Sequence, residues 1–195
     1  FYATQMKLSF SSVYARAHPA QFELASFIGP RAKELGVTFK NPGVKGRLDA
    51  WKKIPRKGYT TPAQLTDLAR CGLVADTPSS VETLIKDLTD KFPSVDESWI
   101  TTEDGYVDRK IGVRMSNGAV AEIQVWSRPM FEAKFNQDGE AMYKARRKLS
   151  RPELKTGRLL FDSIENEIQH YELTAAMNRL YAGAVAESLA SDPAW

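Results

Sequence analysis

Alternating apolar and polar positions mark the clearest element of the sequence, a β-hairpin near its middle. The alternation runs through "YVDRKIGVRM" and again through "AVAEIQVW", as it does along strands. The intervening "SNG" supplies a turn, so the two segments predict an antiparallel hairpin. Upstream, the alternating "SWITTED" and the short apolar "CGLVADT" predict two further strands.

Apolar residues at helical spacing predict the helices that surround these strands. Over residues 7–36 the pattern predicts two helices, broken near Pro30 and ended by Gly36. The segment "PSSVETLIKDLTDKF" repeats apolar residues every three or four positions, which predicts an amphipathic helix over about 78–91. Helical patterns also dominate "MFEAKFNQDGEAMYKARRKL" and the long stretch from Pro152 to about Leu189.

This order of elements predicts an α/β (α+β) fold, a mixed sheet of four to five strands flanked by helices. The 195 residues, 43% of them hydrophobic, suffice for one sizeable core, so we expect a single domain over 1–195. N-terminal helices would occupy 1–39 and C-terminal helices 151–190. No apolar run approaches the ~20 residues needed to cross a bilayer, and no signal-peptide pattern is present. We therefore expect a cytoplasmic protein with no membrane partner.

The strand "AVAEIQVW" carries two polar residues within an apolar run. Its period of two places Ala121, Ile123 and Val125 on one face, which we expect to be core, and Glu122 and Gln124 on the other. An unpaired buried carboxylate is costly, so a buried Glu122 would need a metal ion or an arginine as its partner. A plain solvent-facing strand is the alternative for this segment alone.

Positive charge gathers in residues 41–59, between Pro and Gly residues. The basic side chains there are Lys45, Arg47, Lys52, Lys53, Arg56 and Lys57. A short helix near 46–54 would leave cationic groups on more than one side, and a solvated basic turn is the alternative. The net charge of the whole chain is only +3, which is too small to indicate nucleic acid as the partner by itself.

Asp67 stands just before the predicted strand "CGLVADT", and Arg70 follows three residues later. If that strand joins the same sheet as Glu122, the two carboxylates can hold Mg²⁺ and leave room for phosphate oxygens. A turn aspartate is the alternative reading of Asp67. The chain has no Gly-rich phosphate loop, so side chains of the basic segment would have to hold a triphosphate.

Four segments in this order resemble the synthetase domain of RelA/SpoT-type alarmone synthetases. They are "GVKGRLDAWKKIPRK", "LTDLARCGLVADT", "GYVDRKIGVRM" and "AVAEIQVWSRPMFEAK", followed by "MYKARR". The resemblance covers residues 40–147 and is strongest at 105–106 and 122–125. It implies a nucleotidyltransferase-like fold and a pyrophosphokinase, in which the 3′-hydroxyl of an acceptor nucleotide attacks the β-phosphorus of ATP and AMP leaves.

The resemblance also implies roles for individual residues. Asp67 and Glu122 would match the Mg²⁺-binding acidic pair, and Glu122 would also take the proton of the attacking hydroxyl. The ATP-binding residues would be Lys45, Arg47, Lys53, Lys57 and Arg70. Tyr106 would stack on the acceptor base, while Lys110 and Gln124 would belong to the acceptor site.

Several positions depart from the family pattern, most of them on the acceptor side. Asp49 stands where a Lys usually follows the Arg of the basic motif, and Lys110 replaces the His of "GYxSxH". A Trp-Ser pair at 126–127 replaces Arg-Thr, and the Gly and Arg of "DLxGxR" appear in the opposite order as Arg70 and Gly72. These departures resemble the small or toxin-type members, so GDP, GTP, ADP, AMP and tRNA ends all remain candidate acceptors.

The sequence carries neither the His-Asp motif of the family's hydrolase region nor its regulatory domains. An unopposed synthetase would drain ATP or inhibit growth, so we expect a toxin or effector module with an immunity protein or antitoxin as its partner. Two alternatives stay open. One is a RelA/SpoT-like fold that transfers a phosphate-containing group to RNA or protein, and the other is a non-catalytic module that binds nucleotides or nucleic acid.

Overall fold

A computed structural model of the chain describes residues 2–152 and 159–195. The helices in these ranges are α1 (Tyr2–Glu34), α2 (Arg47–Arg56), α3 (Pro78–Lys91), α4 (Arg128–Phe135), α5 (Gly139–Leu149) and α6 (Ile164–Ser191). The strands are β1 (Thr38–Lys40), β2 (Ala69–Ala75), β3 (Ser94–Thr101), β4 (Val107–Arg114), β5 (Val120–Ser127), β6 (Ser150–Pro152) and β7 (Leu159–Phe161). A short 3-10 helix, Pro62–Gln64, precedes β2.

Strands β1 to β5 form one sheet in the order β1-β2-β5-β4-β3. The predicted hairpin is confirmed, because β4 and β5 pair antiparallel from Arg109 opposite Val125 to Arg114 opposite Val120. Strand β1, which the sequence pattern does not predict, pairs antiparallel with β2. A mixed five-stranded sheet with flanking helices confirms the predicted α/β (α+β) class.

Helix α1 runs without interruption where the sequence pattern predicts two helices, so that prediction is wrong. Pro19 and Pro30 lie inside the helix, and each costs a backbone hydrogen bond and strains its turn. The helix offsets this cost by burying one face, whose side chains recur every three or four residues: Ala17, Ala20, Leu24, Ile28 and Ala32. Helix α1 packs against β1, β2 and α3.

Burial alternates along β5 as the sequence predicts. Ala121, Ile123 and Val125 are 0–2% exposed, whereas Glu122 and Gln124 are half-buried. Helix α3 also matches its predicted span and adds the buried residues Val81, Leu84, Ile85 and Leu88. Along β5, one face therefore belongs to the core, and the face that carries Glu122 and Gln124 is half-buried at those two residues.

The region after α5 differs from the predicted long helix. Strands β6 and β7 pair antiparallel, and α6 begins only at Ile164, where the hydroxyl of Ser163 accepts from the N–H of Asn166 at 3.1 Å. This N-cap starts the helix later than its apolar pattern suggests. The part of the prediction that covers 153–158 lies outside the described residues.

Contacts divide the chain into two compact units, Phe1–Trp99 with Arg109–Trp126 and Ile100–Asp108 with Ser127–Trp195. The first unit contains α1 to α3 and most of the five-stranded sheet, and the second contains α4 to α6 with the two-stranded sheet. The single domain over 1–195 stays a prediction. None of the helices in the described ranges combines the length and the apolar character that a membrane span requires.

Candidate active site

Asp67 lies at the centre of a buried charge cluster in the first unit. It is 6% exposed and stands two residues before β2. Its Oδ2 atom accepts a hydrogen bond from Nζ of Lys45 at 2.7 Å and pairs with Nζ of Lys53 at 2.9 Å. Burial raises the pKa of Asp67, but the hydrogen bonds and charges of the two lysines outweigh it, so the pKa lies below its ordinary value. Asp67 is thus an ionised carboxylate between two ammonium groups.

The basic segment reaches Asp67 because both of its ends are anchored. The backbone N–H of Lys45 donates to the carbonyl of Leu68 at 2.9 Å, which ties the segment to the start of β2. On α2, Ala50 and Ile54 are buried in a cluster with Leu68, and Lys53 lies on the same helix. The side chains of Lys45 and Lys53 are only 16% and 14% exposed. A solvated basic turn does not describe these two lysines.

Two buried polar atoms in the segment 67–70 have no hydrogen-bond partner within the described residues. They are Oδ1 of Asp67 and Nε of Arg70. Leaving a buried polar group unpaired costs about 1–3 kcal/mol, and more for a charged group. The oxygen can ligate a cation and the nitrogen can donate to an anion. Such a pair is expected where the missing partners arrive with a ligand.

The family resemblance implies Mg²⁺, and the carboxylate oxygens of Asp67 and Glu122 are the kind of ligand that Mg²⁺ takes in proteins. Magnesium prefers oxygen ligands and usually keeps several waters while it takes one or two carboxylates and substrate phosphates. The unpaired Oδ1 of Asp67 can supply one such ligand, and Glu122 would supply the second. In the ranges 2–152 and 159–195 no group of three or more His, Cys, Asp and Glu residues could hold a metal ion. The remaining ligands of Mg²⁺ would therefore be water and phosphate oxygens.

Glu122 shares its sheet face with two other residues of the predicted site. In the β4–β5 register, Lys110 lies opposite Gln124 and Gly112 lies opposite Glu122. Directly opposed residues of an antiparallel pair have their side chains on the same face. Lys110, Glu122 and Gln124, all half-buried, therefore line one surface of the first unit.

Asp96 of β3 joins this face and was not predicted from the sequence. A Cβ atom added to Gly112 would collide with Oδ1 of Asp96, so the carboxylate leans over the glycine that opposes Glu122. The alternating pattern predicts a strand only from Ser98 onward. Strand β3 begins four residues earlier, at Ser94, so a strand prediction extended back to that residue would have included Asp96.

Arg47 and Lys57, the other two predicted ATP ligands, lie in different surroundings. Arg47 donates to the hydroxyl of Ser11 at 2.9 Å, and its guanidinium carbon lies 5.3 Å from the ring centroids of Phe10 and Tyr14 on α1. It lines an open groove of about 500 Å³ together with Phe10, Ser11, Leu48 and Trp51. Lys57 is exposed just after α2. Their role in ATP binding stays a prediction.

Tyr106, the predicted stacking residue, lies in the second unit and is 9% exposed. Its hydroxyl donates to Oδ2 of Asp108 at 2.8 Å and accepts from Nζ of Lys134 at 2.7 Å. The same Nζ lies 4.1 Å from the ring centroid, and the ring of Tyr181 packs edge-on at 5.5 Å. The ring offers little free surface, so a base can stack on Tyr106 only if a side chain that covers the ring, such as that of Lys134, moves aside.

Comparison of the fold with solved structures gives clear similarities, although no family model and no curated protein matches the sequence. The Type VI effector Tas1, solved in complex with its immunity protein, is similar over 92% of this chain and 97% of that chain, with a TM-score of 0.64 and 22% identity. Small alarmone synthetase 1 from Bacillus subtilis is similar over 92% and 90%, with a TM-score of 0.57 and 16% identity. Its complex with the product pppGpp is similar over 94% and 96%, with a TM-score of 0.51 and 15% identity.

The chain therefore has the fold of the small alarmone synthetases. The resemblance to the RelA/SpoT-type synthetase domain is confirmed at the level of the fold. At these sequence identities the likeness concerns the fold, and the activity has to be argued from the residues of this chain.

Proposed function

We propose that this chain is an Mg²⁺-dependent ATP:nucleotide 3′-pyrophosphokinase. One observation carries the proposal: on the fold of the alarmone synthetases, the segment 67–70 holds two buried polar atoms of opposite character, Oδ1 of Asp67 and Nε of Arg70, that lack partners among the described residues. A carboxylate oxygen for a cation and a guanidinium nitrogen for a phosphate are the groups that a bound metal–triphosphate complex would satisfy.

On the ATP side, Lys45, Lys53 and Arg70 would bind phosphate oxygens. The two lysines pair with Asp67, and incoming phosphates would compete for them and release Oδ2 of the carboxylate. Asp67 and Glu122 would hold Mg²⁺, which would neutralise part of the negative charge of the phosphates. Arg47 and Lys57 would extend the cationic surface.

On the acceptor side, Glu122 would accept the proton of the attacking 3′-hydroxyl. The 3′-oxygen of the acceptor forms a bond to the β-phosphorus of ATP. The bond between the β-phosphorus and the oxygen that bridges it to the α-phosphorus breaks, and AMP leaves with the bridging oxygen. Tyr106 would stack on the acceptor base, and Lys110 and Gln124 would orient the acceptor beside Glu122. The two β5 residues and Lys110 share one face of the sheet, which supports this grouping.

We further propose that the enzyme acts in the cytosol as a growth-inhibiting toxin or effector that an immunity protein or antitoxin neutralises. The similarity in fold to Tas1, which was solved with its immunity protein, supports this role. Expression of the chain should arrest growth, and expression of Glu122→Gln should not. Equal growth of cells that make either form at the same level would contradict the toxin role.

Transfer of the phosphate-containing group to RNA or protein is the second candidate function. Lys110 and Trp126, which replace the family's usual residues near the acceptor, favour it. Both functions are tested by incubating the chain with γ-labelled ATP, Mg²⁺ and GDP, GTP, ADP, AMP or tRNA, and a parallel reaction with α-labelled ATP detects transfer of AMP to a macromolecule. Label on a nucleotide supports the pyrophosphokinase, and label on a macromolecule supports the second candidate. ATP binding without any transfer contradicts both and leaves a non-catalytic module.

A further inference from the structure

The segment that carries Tyr106 is a tight turn with its own internal hydrogen bonds. The N–H of Thr102 donates to the carbonyl of Tyr106 at 3.0 Å, and the N–H of Gly105 donates to the carbonyl of Thr102 at 2.9 Å. Gly105 has a φ of 78°, a left-handed conformation that glycine adopts without strain. Within the turn, the hydroxyl of Thr102 also donates to Oδ1 of Asp104. The other carboxylate oxygen of Asp104 remains for a contact outside the turn.

Two helices of the second unit hold this turn from outside. Arg146 on α5 pairs with Oδ2 of Asp104 at 2.8 Å and lies 3.5 Å from the carboxylate of Glu103. Arg146 also donates to the hydroxyl of Thr174 on α6 at 3.2 Å. Asn178 on α6, with its amide nitrogen towards the turn, donates to the carbonyls of Glu103 and Asp104 at 3.1 and 3.0 Å.

The pair formed by Asp104 and Arg146 is almost completely shielded from water. The two side chains are 3% and 9% exposed. A charge-assisted hydrogen bond is stronger than a neutral one, and in a buried pair each partner depends on the other for its charge to be tolerated. Tyr106 follows Asp104 by two residues and ends the hydrogen-bonded turn. The backbone of Tyr106 therefore belongs to the turn that Arg146 contacts.

We propose that Arg146 is a positioning residue of the acceptor site, which acts through Asp104 to hold the turn that presents Tyr106. The inference rests on the proposed function, in which Tyr106 stacks on the acceptor base. Holding the turn in place before binding removes part of the ordering cost of the acceptor complex. ATP would be held by other residues, Lys45 and Lys53 among them. A substitution that loosens the turn should therefore weaken binding of the acceptor but not of ATP.

The test is the substitution Arg146→Lys, which keeps the positive charge and replaces the planar guanidinium group, with its several N–H donors, by a single ammonium group. Loss of one charge-assisted hydrogen bond should raise the acceptor KM about tenfold, with the KM for ATP nearly unchanged. Asp104→Asn should act in the same direction. In the double variant Arg146→Lys with Tyr106→Ala, the acceptor KM should match that of Tyr106→Ala alone, because both changes act on the same contact between Tyr106 and the acceptor base.

Arg109 provides a matched control in the first unit. It is 8% exposed, lies on β4 and pairs with the carboxylates of Glu82 and Glu97. Arg109→Lys should lower the melting temperature without a selective rise in the acceptor KM. The positioning role is overturned if Arg146→Lys leaves the acceptor KM unchanged, or if both arginine variants raise it equally.

The kinetics of Asn178→Ala and amide exchange of the turn provide two further tests. If Arg146→Lys does not fold, Asn178→Ala can replace it. Asn178 is exposed, and its loss removes two hydrogen bonds to the same turn, so this variant should also raise the acceptor KM.

If the wild-type chain transfers no pyrophosphate, the proposed function fails, and amide exchange then decides on the positioning role. The amides of Gly105 and Thr102 should lose protection in Arg146→Lys and keep it in Arg109→Lys. Unchanged protection in both variants would reject the role of Arg146.

Discussion

Trp126 of β5 occupies the space that a side chain at Gly72 of β2 would need. A Cβ atom at position 72 would lie 2.5 Å from Cζ3 and 3.2 Å from Cη2 of the indole, and Trp126 is 5% exposed. The pair accounts for a departure from the family pattern "DLxGxR". The glycine stands where the family has arginine, and Arg70 stands two residues earlier, on the same face of the strand because side chains alternate. The chain thus keeps an arginine on that face while it accommodates the indole.

Gly72→Ala should destabilise the fold by about 1–3 kcal/mol, because the new methyl group overpacks against Trp126. The displaced indole should also change its fluorescence maximum. Chemical denaturation followed by tryptophan emission measures both effects.

Gly183→Ala is the matched control for that experiment. Gly183 lies within α6, and a Cβ there meets nothing within 4 Å. Alanine should stabilise the helix by about 0.5–1 kcal/mol. If Gly72→Ala is as stable as the wild type, Trp126 moves aside freely and the close contact has no structural consequence.

Glu122→Gln should lower kcat by a factor on the order of 10² or more, because the amide can neither take the proton nor serve as an anionic ligand. Steady-state kinetics at saturating ATP measure the loss, and the melting temperature should stay near that of the wild type. Glu187→Gln, an exposed change on α6, should leave both values unaltered. A rate close to normal would remove Glu122 from the mechanism.

Tyr106 can be tested by separating its ring from its hydroxyl. Tyr106→Phe keeps the ring and loses the hydrogen bonds to Asp108 and Lys134, so it should cost about 1 kcal/mol of stability with a small effect on the acceptor. Tyr106→Ala should in addition weaken acceptor binding by ~1–3 kcal/mol through the lost stacking. Titration with a fluorescent acceptor analogue measures the affinities. Were the alanine variant merely less stable, with unchanged acceptor affinity, Tyr106 would be a core residue.

His170 should make the stability of the second unit depend on pH. It is 4% exposed, and its Nδ1 has no hydrogen-bond partner in the described part of the chain. Burial, followed by the charge of Arg146, lowers the pKa of His170. The unfolded chain then takes up a proton at a higher pH than the folded one. The contribution of His170 to the free energy of unfolding is fully present above its unfolded-state pKa of about 6.5. It is lost as the pH falls from there towards the folded-state pKa.

Denaturation at pH 7.5 and 5.5 measures this loss. In His170→Gln the difference in unfolding free energy between the two pH values should shrink, and in the exposed control His18→Gln it should persist. If His170→Gln retains the full difference, other groups cause it.

The parts of the fold that depend on near neighbours could be predicted from the sequence. Alternation and a turn signal sufficed for the β4–β5 hairpin, and helical spacing sufficed for α3. The same alternation placed Glu122 and Gln124 on the face opposite the core, and the β4–β5 register adds Lys110 to that face.

Features that depend on distant contacts were decided only by the tertiary structure. Helix α1 continues through Pro30 because its apolar face is buried in the folded molecule. The pairing of Lys45 with Asp67 joins residues 22 positions apart, and Arg146 on α5 pairs with Asp104 in the turn between β3 and β4. Local periodicity reports the face on which a side chain lies, but the identity of its partner depends on which elements the whole chain packs together.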